Sequence, residues 1–446
     1  MTIAESNRAF SAWPDLAVVP SGPRAAVSAV VARRLFTAAV RRLPVSVRIE
    51  RGTAVTGHTE LLGLGGPAMT VHRPDEFFAR LGRHGLIGFG EAYLTRAWDA
   101  EDLGGFLTVL AADLPTLVPP ALQKARALVV PRPPRAQRST TTNSRSNIAH
   151  HYDLSNDLFA TFLDETLSYS SALFDTSLHE REAESSALSL QATPPSSTDN
   201  GSETLLSAQV RKIERLLDRA AVGAGTRVLE IGTGWGELAI RAAARGAVVR
   251  SITLSREQQE LARRRIAAAG FADRVTVDLC DYRAIEESSA YDAVVSVEMI
   301  EAVGHEFWPE YFRILDRVLA PGGRVALQAI LMPHDRMLAT RNTHTWINKY
   351  IFPGGFLPSA AAIETVAREH TTLRVTERLS FGQHYAETLR RWDIAFRAAH
   401  ERVAALGFDP VFERMWHFYL EYSRGGFASG YLDVEQIVLA RDEDRP

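Results

Sequence analysis

The run VLEIGTGWGE at residues 228–237 carries the first legible chemistry in this chain. Gly232, Gly234 and Gly236 follow an apolar strand-like stretch and precede a helical pattern. Glycines in that setting permit a tight turn and close backbone approach to a ligand at the strand's C-terminal end. A nicotinamide enzyme uses the same geometry for a pyrophosphate. Here Glu230 stands immediately before the loop, and an acid there repels phosphate but suits a cationic ligand, a ribose or an amino group. The next strand-like run ends in Thr253-Leu-Ser255-Arg-Glu-Gln258, whose hydroxyl and amide groups suit an amino-acid or ribose moiety. The third ends in Asp281-Tyr282-Arg283, an acid beside an aromatic, as an adenine pocket requires. Acid, glycine loop and two further strand ends, in that order, read as an S-adenosylmethionine site in preference to a dinucleotide site. Cys280 reads as a small buried residue at a strand end.

The elements that must hold these residues alternate. LLSAQVRKIERLLDRA is a helix, TRVLEIG a buried strand and GELAIRAAARG the helix after it. VVRSITLS, EQQELARRRIAAAG and RVTVDLCD repeat the rhythm, and YDAVVSVEM and GGRVALQAI add two strands. The pattern predicts an α/β, doubly wound, Rossmann-like parallel sheet. LRVTERLSF and YLDVEQIVLAR are expected to form an antiparallel pair at one edge. Upstream, residues 44–70 alternate like short strands and 74–118 look helical, giving a smaller, mainly helical N-terminal domain over 1–128. The Pro/Arg/Ser/Thr-rich run at 129–146 reads as a linker, 147–446 as the catalytic domain, and 184–204 as a surface insertion.

The chain has 446 residues, 46% hydrophobic and 23% charged, a soluble globular profile of more than one domain. A net charge of −3 argues against a nucleic-acid partner, and a single cysteine excludes a disulfide framework and a Cys-rich zinc site, so no metal is expected. No apolar run is long enough to span a bilayer and no signal peptide is visible, which suits a cytoplasmic protein. Basic residues are almost all arginine: lysine occurs only at 124, 212 and 349. Residues 1–51 hold eight arginines against three acids, an excess of +5. Within them, Pro23 to Leu43 reads as an amphipathic helix, with Val27, Val30, Val31, Leu35, Ala38 and Val40 apolar and Arg33, Arg34, Arg41 and Arg42 charged. Two readings stand: a helix packed on its own domain with a solvated basic face, or electrostatic docking onto anionic lipid headgroups.

The segment HHYDLSNDLFATFLDETLSYSSALF at 150–174, with EIGTGWG, TLSREQ, DYR, SVEMIEAVG and WINKYIFPGGFLPS, resembles the cyclopropane-fatty-acyl-phospholipid synthase family from about Ser146 to Arg441. GRHGLIGFGEAY and the run from Ala262 to Arg283 look closest to an actinobacterial branch. Members of that branch methylate oleoyl chains on phospholipid to 10-methylene chains, which a separate reductase converts to 10-methyl (tuberculostearic) chains. The resemblance implies that S-adenosylmethionine is held by Tyr169 and Ser170, Glu230 to Gly236, Thr253 to Gln258, and Asp281 with Tyr282. It implies a greasy acyl channel lined partly by Trp346, Tyr350, Phe352, Phe356 and Tyr385. It also implies a homodimer built through the N-terminal domain and peripheral attachment to the inner face of the plasma membrane. His150 and His151 are read as ordering a loop over the cofactor or, alternatively, as a general base.

Such an acyl chain offers only the π electrons of its cis double bond. Methylating it leaves a carbocation, so the site must exclude water, stabilise positive charge and supply a base. In the family a bicarbonate ion is that base, held by a Cys, a Glu, a His, an Ile backbone and a Tyr. The Glu matches Glu301, the Ile matches Ile330 and the Tyr matches Tyr385; the Cys position is Ser171 and the His position is Gln328. The usual Gly of the SVGMFEHVG pattern is Glu298, three residues before Glu301. Three readings of Glu298 stay open: it takes the bicarbonate position and is itself the base, bicarbonate is retained through Glu301 and Tyr385, or Glu298 serves as a cap or salt bridge. Methylene formation and ring closure to a cyclopropane share every residue except those that place the base, and sister branches with the same Glu and Gln make cyclopropanes.

Overall fold

The computed structural model describes residues 12–51, 58–114, 134, 140, 143, 155–175 and 203–442. Most of the linker, nearly all of the insertion, and His150 and His151 lie outside the described residues. The chain divides into two compact units, and the division is not a single cut. The first unit comprises 1–151, 332–356 and 392–432; the second comprises 152–331, 357–391 and 433–446. A catalytic domain running unbroken over 147–446 is therefore corrected: two C-terminal segments complete the first unit.

In the first unit, α1 (Pro23–Val40) leads into a four-stranded sheet of order β2-β1-β3-β4, built from β1 (Ser46–Arg51), β2 (His58–Leu62), β3 (Ala68–Val71) and β4 (Trp98–Ala100). Helices α2 (Pro74–His84), α3 (Leu86–Leu94) and α4 (Leu103–Ala112) accompany it. The core is a run of aromatic contacts. Phe36 meets Phe77 edge-on at 5.2 Å, Phe89 lies 4.5 Å from Trp98, and Phe418 lies 4.8 Å from Trp346. Glu91, wholly buried on α3, accepts from Lys349 Nζ at 2.6 Å, from the Tyr350 hydroxyl at 3.0 Å, and pairs with His84 Nδ1 at 3.1 Å. This hub ties the helix Trp346–Tyr350 to the N-terminal helices.

The buried face of α1 differs from the expected one. Ala25, Ala32, Ala39 and Val40 are inside, whereas Val27, Val30 and Val31 are 67%, 54% and 50% exposed. Size explains the choice. A Cβ at Gly82 of α2 would lie 2.5 Å from the backbone carbonyl carbon of Ser28, so only the small-residue face of α1 can approach that closely.

The second unit is a seven-stranded sheet of order β10-β11-β9-β8-β5-β6-β7, with β5 (Arg227–Ile231), β6 (Val248–Thr253), β7 (Val275–Leu279), β8 (Tyr291–Val297), β9 (Leu319–Leu331), β10 (Leu373–Ser380) and β11 (Asp433–Arg441). The strands β9-β8-β5-β6-β7 are parallel, and β11 and β10 add an antiparallel edge as expected. Val228, Leu229 and Ile231 are buried, as a sheet covered on both faces demands. The covering helices include α5 (Leu205–Arg219), α6 (Glu237–Ala244), α7 (Arg256–Ala268) and α8 (Ile300–Val303). The helix Gly382–Ala398 follows β10. Ile213, Leu216 and Leu217 of α5 and Ala239, Ala242 and Ala243 of α6 pack with Val249 and Ala293 in one core.

Candidate active site

Three consecutive strand ends build the cofactor cradle. Gly232, Gly234 and Gly236 have φ of +100°, +53° and +90°, the left-handed region that only glycine enters freely. A Cβ at Gly236 would press on Ala262 Cβ at 3.2 Å, so this glycine also lets α6 and α7 meet; a Cβ at Gly234 would meet nothing within 4 Å, leaving that backbone open to a ligand. Glu230 is buried and accepts from Ser251 Oγ; burial pushes its carboxyl up to about 8. At the end of β6, the Thr253 hydroxyl donates to Gln258 Oε1 at 2.9 Å, and Ser255 caps α7 by accepting from Gln258 N. After β7, Tyr282 is buried against Tyr311, and both carboxylate oxygens of Asp281 are engaged by Arg283. Asp281 is thus braced by its own neighbour.

The segment 155–175 carries Tyr169, Ser170 and Ser171. Phe159 anchors it by packing 5.0 Å from both Tyr169 and Trp235, the latter within the glycine loop. Gln209 Nε2 of α5 donates to the carbonyls of Ser168 and Ser170 at 3.3 and 2.8 Å.

Glu298 stands between β8 and α8 with φ of +49°, a conformation glycine adopts without strain and other residues hold at a cost of about 1–3 kcal/mol. Its carboxylate is gripped by three donors. Oε1 accepts from Ser171 N at 3.0 Å and from Gln328 Nε2 at 2.8 Å, and Oε2 accepts from the Tyr385 hydroxyl at 2.7 Å. The adjacent acid, Glu301, accepts from Ile330 N at 2.6 Å through Oε1, while its buried Oε2 has no partner among the described residues. All six residues named as catalytic from the sequence thus lie close together in the second unit, Ser171, Gln328 and Tyr385 buried and Glu298, Glu301 and Ile330 half-buried. Burial raises both carboxyls. Glu301, pushed further by the charge of Glu298, reaches about 8; the three donors and Lys212 oppose the rise at Glu298.

Gln328 points its amide nitrogen at Glu298 for a reason that lies two residues away. Arg215 can only donate, and its Nη1 meets Gln436 Oε1 at 2.6 Å. Gln436 therefore turns Nε2 toward Gln328 Oε1, at 3.3 Å across the β9–β11 ladder, and Gln328 is left to present Nε2 to Glu298. Arg215, Gln436, Gln209 and Lys212 were not singled out from the sequence. The signal for two of them was present on α5, where Gln209 and Lys212 share the inward stripe of Ala208, Ile213, Leu216 and Leu217.

Of the residues expected along an acyl channel, Trp346, Tyr350, Phe352 and Phe356 belong to the first unit, while Tyr385 belongs to the second. Trp346 is buried against Phe418 and Tyr350, the Tyr350 hydroxyl bonds Glu91, and Phe352 packs edge-on to Tyr419 at 5.9 Å.

The family model for mycolic acid cyclopropane synthetase matches residues 139–437. The chain belongs to this family. Tuberculostearic acid methyltransferase UfaA1 of Mycobacterium tuberculosis is 52% identical over 430 residues, covering 96% of this chain and 95% of the relative. The cyclopropane-fatty-acyl-phospholipid synthase of Escherichia coli K12 is 32% identical and covers 83% and 87%. Among solved structures, the cyclopropane synthase MmaA2 from Mycobacterium tuberculosis superposes with a TM-score of 0.56 at 28% identity, over 67% of this chain and 98% of that one. CmaA1, solved with SAH and CTAB, gives the same score and identity over 66% and 97%. This member of the synthetase family is an S-adenosylmethionine-dependent methyltransferase, with the Rossmann-like fold expected of one. Its residues fit the cofactor: an open glycine turn, hydroxyl and amide groups on the next strand end, and a buried tyrosine on the third.

Proposed function

We propose that this chain methylates the cis double bond of oleoyl chains in membrane phospholipid, that the product is a 10-methylene-stearoyl chain, and that Glu298 is the base. The observation that carries the reading is the grip on Glu298. Ser171, Gln328 and Tyr385 occupy three of the five positions that hold bicarbonate in the family, and here all three bond one resident carboxylate. Among the described residues these donors on that side are already engaged by the Glu298 carboxylate. Bound S-adenosylmethionine supplies an electrophilic methyl group. The chain's own residues manage the cation that methylation leaves on the acyl chain. Ionised Glu298 stabilises positive charge in a site from which water is excluded. After a hydride shift places the charge on the methyl-bearing carbon, Glu298 takes a proton from the new methyl group, and the freed electron pair forms the methylene double bond.

Ring closure from the same cation is the second reading, favoured by the 32% identity to a cyclopropane-forming relative. Phospholipid from a heterologous host expressing this chain together with a methylene reductase separates the two. The methylene reading expects 10-methyl chains; cyclopropane signals that survive the reductase defeat it.

Peripheral docking on an anionic phospholipid surface, at the cytoplasmic face, is part of the proposal. Among the described residues no helix is long and apolar enough to cross a membrane. Exposed Val27, Val30 and Val31 share α1 with exposed Arg34, and exposed Arg41 and Arg42 follow at its end. A homodimer and a separate reductase acting on the product complete the reading.

A further inference from the structure

Lys212 is one of only three lysines in the chain, and it sits on the inward face of α5 with 1% of its surface exposed. Its ammonium donates to Ser170 Oγ at 2.6 Å, a neutral partner. A buried cation satisfied only by a hydroxyl is costly unless a counter-charge lies nearby. The next peptide supplies the connection: Ser171 N, one residue on from Ser170, donates to Glu298 Oε1 at 3.0 Å. A second path runs from the same lysine's backbone. Gln436 Nε2 donates to Lys212 O at 3.0 Å and to Gln328 Oε1, and Gln328 in turn donates to Glu298. The charges that act on Lys212 are Glu298 and Asp164, and both oppose the loss of its proton that burial favours. Asp164 is itself occupied by the Thr166 hydroxyl and backbone N–H.

Resting on the reading of Glu298 as base, we propose that Lys212 is the resident counter-ion of Glu298, a positioning residue that keeps this carboxylate ionised beside Glu301. Without a cation, two buried carboxylates in one pocket would share a proton, and the base would be idle. Among the described residues, the ionisable groups facing the pocket are Lys212 from α5, Asp164 from the segment before Tyr169, Glu298 and Glu301 around α8, Tyr311 beside Glu301, and Tyr385 from the helix after β10.

The test is the pH–rate profile of methyl transfer on zwitterionic vesicles in carbonate-free buffer, at saturating S-adenosylmethionine, for wild type, Lys212→Met, Lys212→Arg and Glu298→Gln. Removing the cation raises the proton affinity of Glu298, so the acid limb of Lys212→Met should move up by about one pH unit or more. Lys212→Arg should return it toward wild type. A merely structural lysine would lower Tm and leave the limb in place, and that result overturns the proposal. Should Lys212→Met fail to fold, Lys212→Met/Glu298→Gln carries the test. Pairing requires the double variant to be more stable than Lys212→Met, and a double variant no more stable overturns it. The two readings fail separately: an active Glu298→Gln removes the base, whereas an inactive Glu298→Gln with an unmoved limb in Lys212→Met removes only the counter-ion.

Discussion

Glu298→Gln changes one oxygen to nitrogen and little else, which makes its consequences calculable. The amide carbonyl can keep the bonds from Ser171 N and Gln328 Nε2, which both aim at Oε1. The amide nitrogen then faces the Tyr385 hydroxyl, which now bonds Oε2 and can turn from donor to acceptor. The Tyr385 O–H then needs another acceptor. Three charge-assisted bonds weaken to neutral ones and buried Lys212 loses its counter-charge, so stability should fall by about 1–3 kcal/mol. Proton removal is lost outright. A positioned base contributes about 10²–10⁴-fold, so turnover should fall at least about 100-fold while cofactor affinity stays near wild type. The assay is transfer of labelled methyl from S-adenosylmethionine to dioleoyl-phospholipid vesicles in carbonate-free buffer, with cofactor affinity measured calorimetrically. Near-normal turnover in that buffer would refute Glu298 as base.

Glu298→Gly should fold well, because the position already has φ of +49°, and should regain part of its turnover when bicarbonate is added, since Ser171 N, Gln328 and Tyr385 are freed to hold it; failure of bicarbonate to raise the rate speaks against a shared binding position. Glu301 is pushed up from 4.5 to about 8, so the native state holds an extra proton and loses stability as pH rises through that window. The Tm of Glu301→Gln should therefore gain on wild type between pH about 5 and about 8; a gap that is flat or shrinks counts against the burial argument. Gly90→Ala drives a Cβ to 2.5 Å from Trp346 Nε1 and should cost about 1–3 kcal/mol by denaturant titration. Replacing Arg34, Arg41 and Arg42 by Ala should weaken sedimentation with anionic vesicles, and salt should do the same to wild type; binding indifferent to both excludes electrostatic docking.

Much of the site was legible because its residues sit at sequence-marked strand ends. The glycine turn, the hydroxyl–amide pair Thr253 and Gln258, and the acid at 301 are all fixed by the parallel strands that precede them. What the sequence withheld was long-range. Hydrophobicity favoured the valine face of α1, but the close approach of Gly82 selected the alanine face. Nothing in the sequence told that the aromatics of Trp346–Tyr350 and Pro410–Ala428 pack with Gly90 and Tyr93 in the first unit. The orientation of Gln328 depends on Arg215, more than a hundred residues upstream, through Gln436 on another strand. Glu298 showed as a departure from the family pattern, yet its three donors come from segments centred on 171, 328 and 385, which no local spacing relates.

The decisive measurement is carbon NMR of dioleoyl phospholipid incubated with this chain and S-adenosylmethionine labelled with ¹³C in its methyl group, in carbonate-free buffer. A resident carboxylate acting on a methylated alkene puts the label into a terminal methylene carbon of the acyl chain. Unlabelled acyl chains, or label confined to a cyclopropane ring and dependent on added bicarbonate, would show that the reaction or its base is a different one.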